Sequence, residues 1–142
     1  MATTTAAPTA KRTLSRPRTI GILLVAVIIA VAINAVVAAI AVAAGAPSDY
    51  GPLTFPAYTL ITVIGVTAGW IGWSLVRRRA RNSRRVLAIL VPAVTIVSLV
   101  PDVLLLAFRF IPGTTTSAAL GLMAMHLAVV GVAIPAYRLA SR

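Results

Sequence analysis

The sequence predicts an all-α protein: four transmembrane helices packed as an antiparallel bundle, with both termini cytoplasmic. Three observations carry that prediction. Four apolar runs, at 20–44, 57–76, 86–108 and 117–137, are each long enough to cross a hydrocarbon core that takes about 20 helical residues. The chain is 60% hydrophobic with a mean hydropathy of +1.01, which leaves too little polar surface for a soluble domain. Twelve of the thirteen basic residues fall on one side of the predicted membrane, and only Arg109 falls on the other. Lysine and arginine mark the cytoplasmic side, so this bias fixes the orientation.

Residues 1–19 are rich in Thr, Ala and Pro and carry Lys11, Arg12, Arg16 and Arg18. Such a stretch cannot bury an apolar face and is expected to be a disordered tail. The first span, 20–44, is Ile, Val, Ala and Leu interrupted by Gly21 and Asn34. Read as a cleaved signal peptide it is too long, because a signal core runs to about 15 apolar residues. A loop follows, GAPSDYGPLTFP at 45–56, marked by its Gly and Pro and holding Asp49 and no basic residue.

The second span carries Gly65 and Gly69, a spacing that lets helix backbones approach closely. A small-residue stripe on the first helix, Ala35, Ala39 and Ala43, is the partner expected for it. Trp70 and Trp73 lie towards the basic side, where indoles favour the interface. The next stretch, RRRARNSRR, holds Arg77, Arg78, Arg79, Arg81, Arg84 and Arg85. Its primary reading is a topology anchor; it also suits the headgroups of anionic lipids. The third span contains Pro92, Pro101 and Asp102, with a kink expected where Pro101 frees the Val97 carbonyl. Pro112-Gly113 signals the next turn. The fourth span holds His126 near its middle and Pro135 near its end, and 139–142 form a short tail.

Polar residues at membrane depth are few and sit at similar heights. At 1.5 Å per residue, Asn34 and His126 lie within about 3 Å of the middle of their spans, and Thr62 and Asp102 roughly 7 Å outward. Ser98 stands one turn before Asp102 on the same face. This layer of Asn34, Thr62, Ser98, Asp102 and His126 has two readings. As structure it is a hydrogen-bonded plug between helices. As function it is a proton- or ion-handling site with Asp102 and His126 as the titrating pair. Arg109 is predicted to reach the outer surface or pair with Asp49.

The excluded classes follow from what is missing. With no cysteine, one histidine and two carboxylates, no metal site is expected. No nucleophile-base-acid set and no phosphate-binding glycine loop occurs, so no catalytic role and no cofactor is expected. The net charge of +11 is gathered at span ends rather than in a patch for nucleic acid. The partners expected are the lipid bilayer and either a second copy or another membrane protein.

The basic start, the Ala/Val helix with Asn34, the Gly69-Trp70-x-x-Trp73-x-Leu75 ending before the arginines, and Leu122-Met-Ala-Met-His-Leu running to Pro135 resemble one family. It is an uncharacterised group of small four-helix integral membrane proteins from high-GC bacteria. That resemblance implies a four-span integral membrane protein and no assigned activity; the location expected for the chain is the bacterial cytoplasmic membrane. The combined reading is a membrane protein of unknown activity, a structural or interaction subunit. The alternative is a small proton- or ion-coupled transporter or channel component built on Asp102 and His126.

Overall fold

A computed structural model describes residues 16–142; the expectation of a disordered tail at 1–15 lies outside the described residues. Four helices make up the fold: α1 Arg16–Ala43, α2 Phe55–Arg79, α3 Ser83–Phe108 and α4 Thr116–Ala140, with one 3-10 turn at Gly51–Leu53. They are 28, 25, 26 and 25 residues long, and each is long and apolar enough to cross a membrane. The architecture is compatible with a multi-pass membrane protein.

Every helix extends past its apolar run, for a local reason. α1 begins at Arg16, with Pro17 in its first turn, where a missing N–H costs nothing. α2 continues through Arg77, Arg78 and Arg79, since arginine is a good helix former and cations suit a helix C-terminus. The arginine loop predicted over 77–85 thus shrinks to residues 80–82. Asn82 caps α3 by accepting from the Arg85 N–H at 3.3 Å. α3 runs unbroken through Pro92 and Pro101 to Arg109, whose left-handed backbone (φ 47°) ends it. Thr115 caps α4 through the Ala118 N–H at 3.1 Å.

Helix packing inverts the pattern of a soluble bundle. The outer surface is largely Ile, Leu, Val and Phe, as suits lipid contact, and the interior combines alanines and three polar residues with a few large side chains such as Tyr58, Trp73 and Tyr137. α1 packs most extensively on α4, and α3 touches α4 but scarcely meets α1. The α1–α4 seam uses alanine and glycine: Ala26, Ala30 and Ala41 are buried on α1, and Ala118, Ala119 and Gly121 on α4. A Cβ on Gly121 would lie 2.8 Å from the Cβ of Ala41, so the two backbones meet there as closely as they can.

This corrects the expected glycine contact. Ala39 and Ala43 are exposed, and the buried stripe of α1 is Ala26, Ala30, Asn34 and Ala41. Gly65 faces open space, and Gly69 lies against the Tyr137 side chain of α4 instead of against α1. α2 meets α1 along a different face, where Tyr58, Thr62 and Val66 are buried at every fourth residue.

Two apolar clusters cap the bundle interior. One gathers Ala41, Tyr50, Leu53, Tyr58, Ala118 and Met125 beneath the 44–54 and 109–115 connections. The Tyr50 hydroxyl joins those connections by a 3.0 Å hydrogen bond to Thr114 Oγ1. The other gathers Val66, Trp73, Ala133 and Tyr137 towards the arginine end. Between them lie the buried polar residues Asn34, Thr62 and Asp102.

Candidate functional site

The five polar-layer residues are brought together, as two pairs and a bystander. Asn34 of α1 donates from Nδ2 to Thr62 Oγ1 of α2 at 2.9 Å, and Thr62 donates to the Tyr58 carbonyl at 2.7 Å. The single hydroxyl hydrogen of Thr62 is thereby used, so the Asn34 atom facing it has to be the donor nitrogen. Asn34 Oδ1 is left buried without a partner, and the residue is 2% exposed.

The second pair joins α3 to α4. His126 Nδ1 lies 2.9 Å from Asp102 Oδ2 and 3.0 Å from the Leu122 carbonyl one turn back. A ring nitrogen that close to a carbonyl carries a hydrogen, and that one hydrogen points at Leu122. Asp102 Oδ2 stands at ion-pair distance from the same nitrogen and has no other hydrogen-bond partner. Asp102 is 4% exposed on a helix whose only other buried residue is Leu105. Ser98 donates to the Thr95 carbonyl of its own helix at 2.7 Å and joins neither pair.

All five residues line one cleft of about 700 Å³ between α2, α3 and α4. Its volume is that of an ordinary small-molecule site. Thr62 and Asp102 face it from different helices, and Asn34 reaches it from α1. Away from this polar section the walls are apolar: Leu87, Leu90 and Val94 of α3, Val130 and Ile134 of α4. On α2 they are minimal, with Gly65, Ala68, Gly69 and Gly72. Gly65 and Gly72 have no neighbour within 4 Å of a would-be Cβ, so side-chain absence here makes room rather than a helix contact.

At the arginine end the cleft meets a latch between α2 and α4, in which Trp70 and Trp73, expected at the interface, pack on Tyr137. The Tyr137 hydroxyl donates to the Val66 carbonyl of α2 at 2.6 Å, with its ring between Trp70 and Trp73 at centroid distances of 5.8 and 5.7 Å. Ser141 Oγ accepts from Arg77 at 2.9 Å and from Trp73 Nε1 at 3.3 Å. The remaining arginines of the basic stretch, Arg78, Arg79, Arg81, Arg84 and Arg85, are exposed at this same end. Arg109 is exposed at the other end, and the contact with His126 is the one ion pair of Asp102 or Asp49 among the described residues.

Two outcomes follow for the glycines. Gly69→Leu should lower the melting temperature of the detergent-solubilised protein, because its side chain displaces Tyr137. Gly65→Leu should leave it unchanged, because the side chain enters the cleft. Equal losses in a thermal melt would show that Gly65 is packed. Tyr137→Phe, which removes only the hydroxyl, should cost about 1 kcal/mol in the same measurement.

Among the described residues no group of three or more His, Cys, Asp or Glu side chains could hold a metal ion. Neither a curated protein nor a solved structure matches the chain. One family model does, over residues 14–142, and on that coverage the chain belongs to DUF6069, a family of unknown function.

Proposed function

We propose that this chain is a non-enzymatic interaction protein of the bacterial cytoplasmic membrane whose working part is the cleft between α2, α3 and α4. The observation that carries this reading is a pair of buried oxygens on residues lining one cavity: Asn34 Oδ1 without a partner, and Asp102 Oδ2 with only the His126 imidazole beside it. A buried polar atom without a partner costs about 1–3 kcal/mol, and a plug that served stability alone would satisfy both atoms. The vacant small-residue wall at Gly65 and Gly72 supports the same reading, since a structural bundle gains by filling such space.

Both termini are cytoplasmic in this proposal. The bias of twelve basic residues against one supports it, as does the bond between Arg77 and Ser141 that puts the ends of α2 and α4 together. A reporter fused after Arg142 then reads cytoplasmic and one inserted at Asp49 reads external; a periplasmic C-terminus overturns this orientation. The arginine end, with Arg78, Arg79, Arg81, Arg84 and Arg85 exposed, suits anionic headgroups at about 1 kcal/mol per residue. Nucleic acid is not a partner in this reading. The exposed apolar helices leave room for association with a second copy or another membrane protein.

The test of the cleft uses an apolar fluorescent probe, N-phenyl-1-naphthylamine, titrated into the protein in nanodiscs. Saturable binding that Gly65→Leu and Gly72→Leu abolish, without loss of melting temperature, is the expected result. Binding that survives both substitutions places the probe elsewhere and removes the cleft from the function.

A second reading, a proton-coupled transporter component, is favoured by the 2.9 Å approach of His126 to Asp102. It requires proton flux across liposomes that Asp102→Asn stops. Flux indistinguishable from empty liposomes leaves the binding reading alone.

A further inference from the structure

We propose that the cleft is the acyl-chain slot of an anionic phospholipid from the arginine-side leaflet, the phosphate of that lipid being held between Arg79 of α2 and Arg84 of α3. This rests on the cleft being a binding site and adds the class of ligand it takes.

The chain follows from the shape of the cleft. Its apolar section runs from Trp73, Leu87 and Tyr137 at the arginine end to Thr62 and Ser98 at the polar section. From Thr62 to Trp73 along α2 is about 16 Å at 1.5 Å per residue. One leaflet is about 15 Å deep, half of the hydrocarbon core. An acyl chain entering from the arginine end therefore stops where the polar section begins. A partner helix, about 10 Å across, would fill roughly 1,250 Å³ over the same length. The whole cleft holds about 700 Å³. The Tyr137 latch stands between α2 and α4 against Gly69, whereas nothing lies within 4 Å of a Cβ built on Gly72. The chain passes on that open side, between Gly72 of α2 and Leu87 of α3.

The head follows from helical register. Residues seven apart lie on nearly the same face of a helix. On α2, Gly65 and Gly72 line the cleft, and Arg79 continues their row. On α3, Val91 and Ser98 line it, and Arg84 begins their row. Both arginines are exposed, and the short link at 80–82 puts them at one end of the cleft. Their neighbours belong to other faces. Arg78 continues the row of Ile64 and Ile71, and Arg85 shares a face with Ile89 and Ile96; these isoleucines are exposed and lie outside the cleft.

Charge points to the same end. The chain has two acidic side chains, Asp49 and Asp102. Asp49 lies in the 44–54 connection at the other end, and Asp102 lines the polar section. No acidic side chain is left to neutralise the arginine end, and guanidinium groups bind phosphate oxygens through paired N–H donors. A zwitterionic head carries a cation beside its phosphate, so an anionic head is preferred.

Trp70 and Trp73 are the two tryptophans of the chain, and Trp73 lines the cleft, so their fluorescence reports a lipid chain there. The experiment is quenching by phosphatidylglycerol brominated on one acyl chain, diluted into phosphatidylcholine nanodiscs, with brominated phosphatidylcholine as the comparison. The expected result is quenching that saturates at a mole fraction at least about tenfold lower for phosphatidylglycerol. Arg79→Gln and Arg84→Gln should each weaken that preference about fivefold, and Arg78→Gln and Arg85→Gln by less than about twofold. Gly72→Leu should abolish the saturable quenching. Equal losses in all four arginine variants would show attraction to the whole basic surface and overturn the head-group assignment. Equal quenching by the two lipids overturns the anionic class, and selective quenching that survives Gly72→Leu places the lipid outside the cleft. In each of these cases saturable binding of N-phenyl-1-naphthylamine still leaves the cleft standing. A parent protein that does not bind that probe sinks the cleft itself.

Discussion

Gly121→Leu should be the most damaging single substitution, lowering stability by about 3 kcal/mol or preventing recovery of folded protein. At this position even a methyl group would stand 2.8 Å from Ala41 Cβ, well inside van der Waals contact. The seam between α1 and α4 is the most extensive in the bundle, and helices in lipid associate by packing rather than by expelling water. Forcing them apart therefore loses dispersion contacts along both helices. Gly131→Leu, where a Cβ meets nothing within 4 Å, is the control and should melt like the parent. Similar melting of the two variants would show that α1 and α4 are not in contact at Gly121.

The second large effect has the opposite sign to the usual one. Removing one member of a buried ion pair commonly costs about 3–5 kcal/mol, because a charge is stranded. Asp102→Leu should instead hold stability or raise it by up to about 2 kcal/mol, read as an unchanged or higher melting temperature. His126 keeps its hydrogen bond to the Leu122 carbonyl and can shed a proton, so nothing is stranded. Asp102 Oδ2, in contrast, is a buried acceptor whose removal relieves a cost. Thr62→Val makes the contrast explicit: it takes from Asn34 its one partner and should destabilise by about 1–3 kcal/mol. If Asp102→Leu proves the worse of the two, the α3–α4 contact is a structural ion pair and the stability of the bundle depends on it.

These two residues also show what could and could not be read from the sequence. The four helices were legible because hydropathy runs and arginine placement are direct signals of the bilayer as solvent. The helix ends were less so: arginines at 77–79 and 84–85 belong to helices, since their charge is compatible with helix termini at the interface. Asn34, Thr62, Asp102 and His126 were legible as a layer because polar groups at depth are rare, but depth alone does not give rotation about the helix axis. Which pairs form, and that Ser98 joins neither, depends on that rotation. The glycines were misassigned for the same reason. Alanine and valine occur all around α1, so Ala35, Ala39 and Ala43 looked as good a stripe as Ala26, Ala30, Asn34 and Ala41. Gly121, whose close contact is real, carries no partner glycine at the familiar spacing. Nothing in the sequence singles out Ser141, and only the fold shows the hydrogen bonds of Tyr137 and Ser141 to α2.

The pairing of Asp102 with His126 at the cleft is best tested by magic-angle-spinning NMR of the uniformly labelled protein in bilayers. The chain has one histidine, so its imidazole signals need no further assignment. A through-space cross-peak between the Asp102 carboxyl carbon and a protonated His126 Nδ1, shifting when N-phenyl-1-naphthylamine is added, is the predicted result. An imidazole with no carboxyl carbon in range, in spectra unchanged by that probe, would contradict both the pair and the cleft built around it.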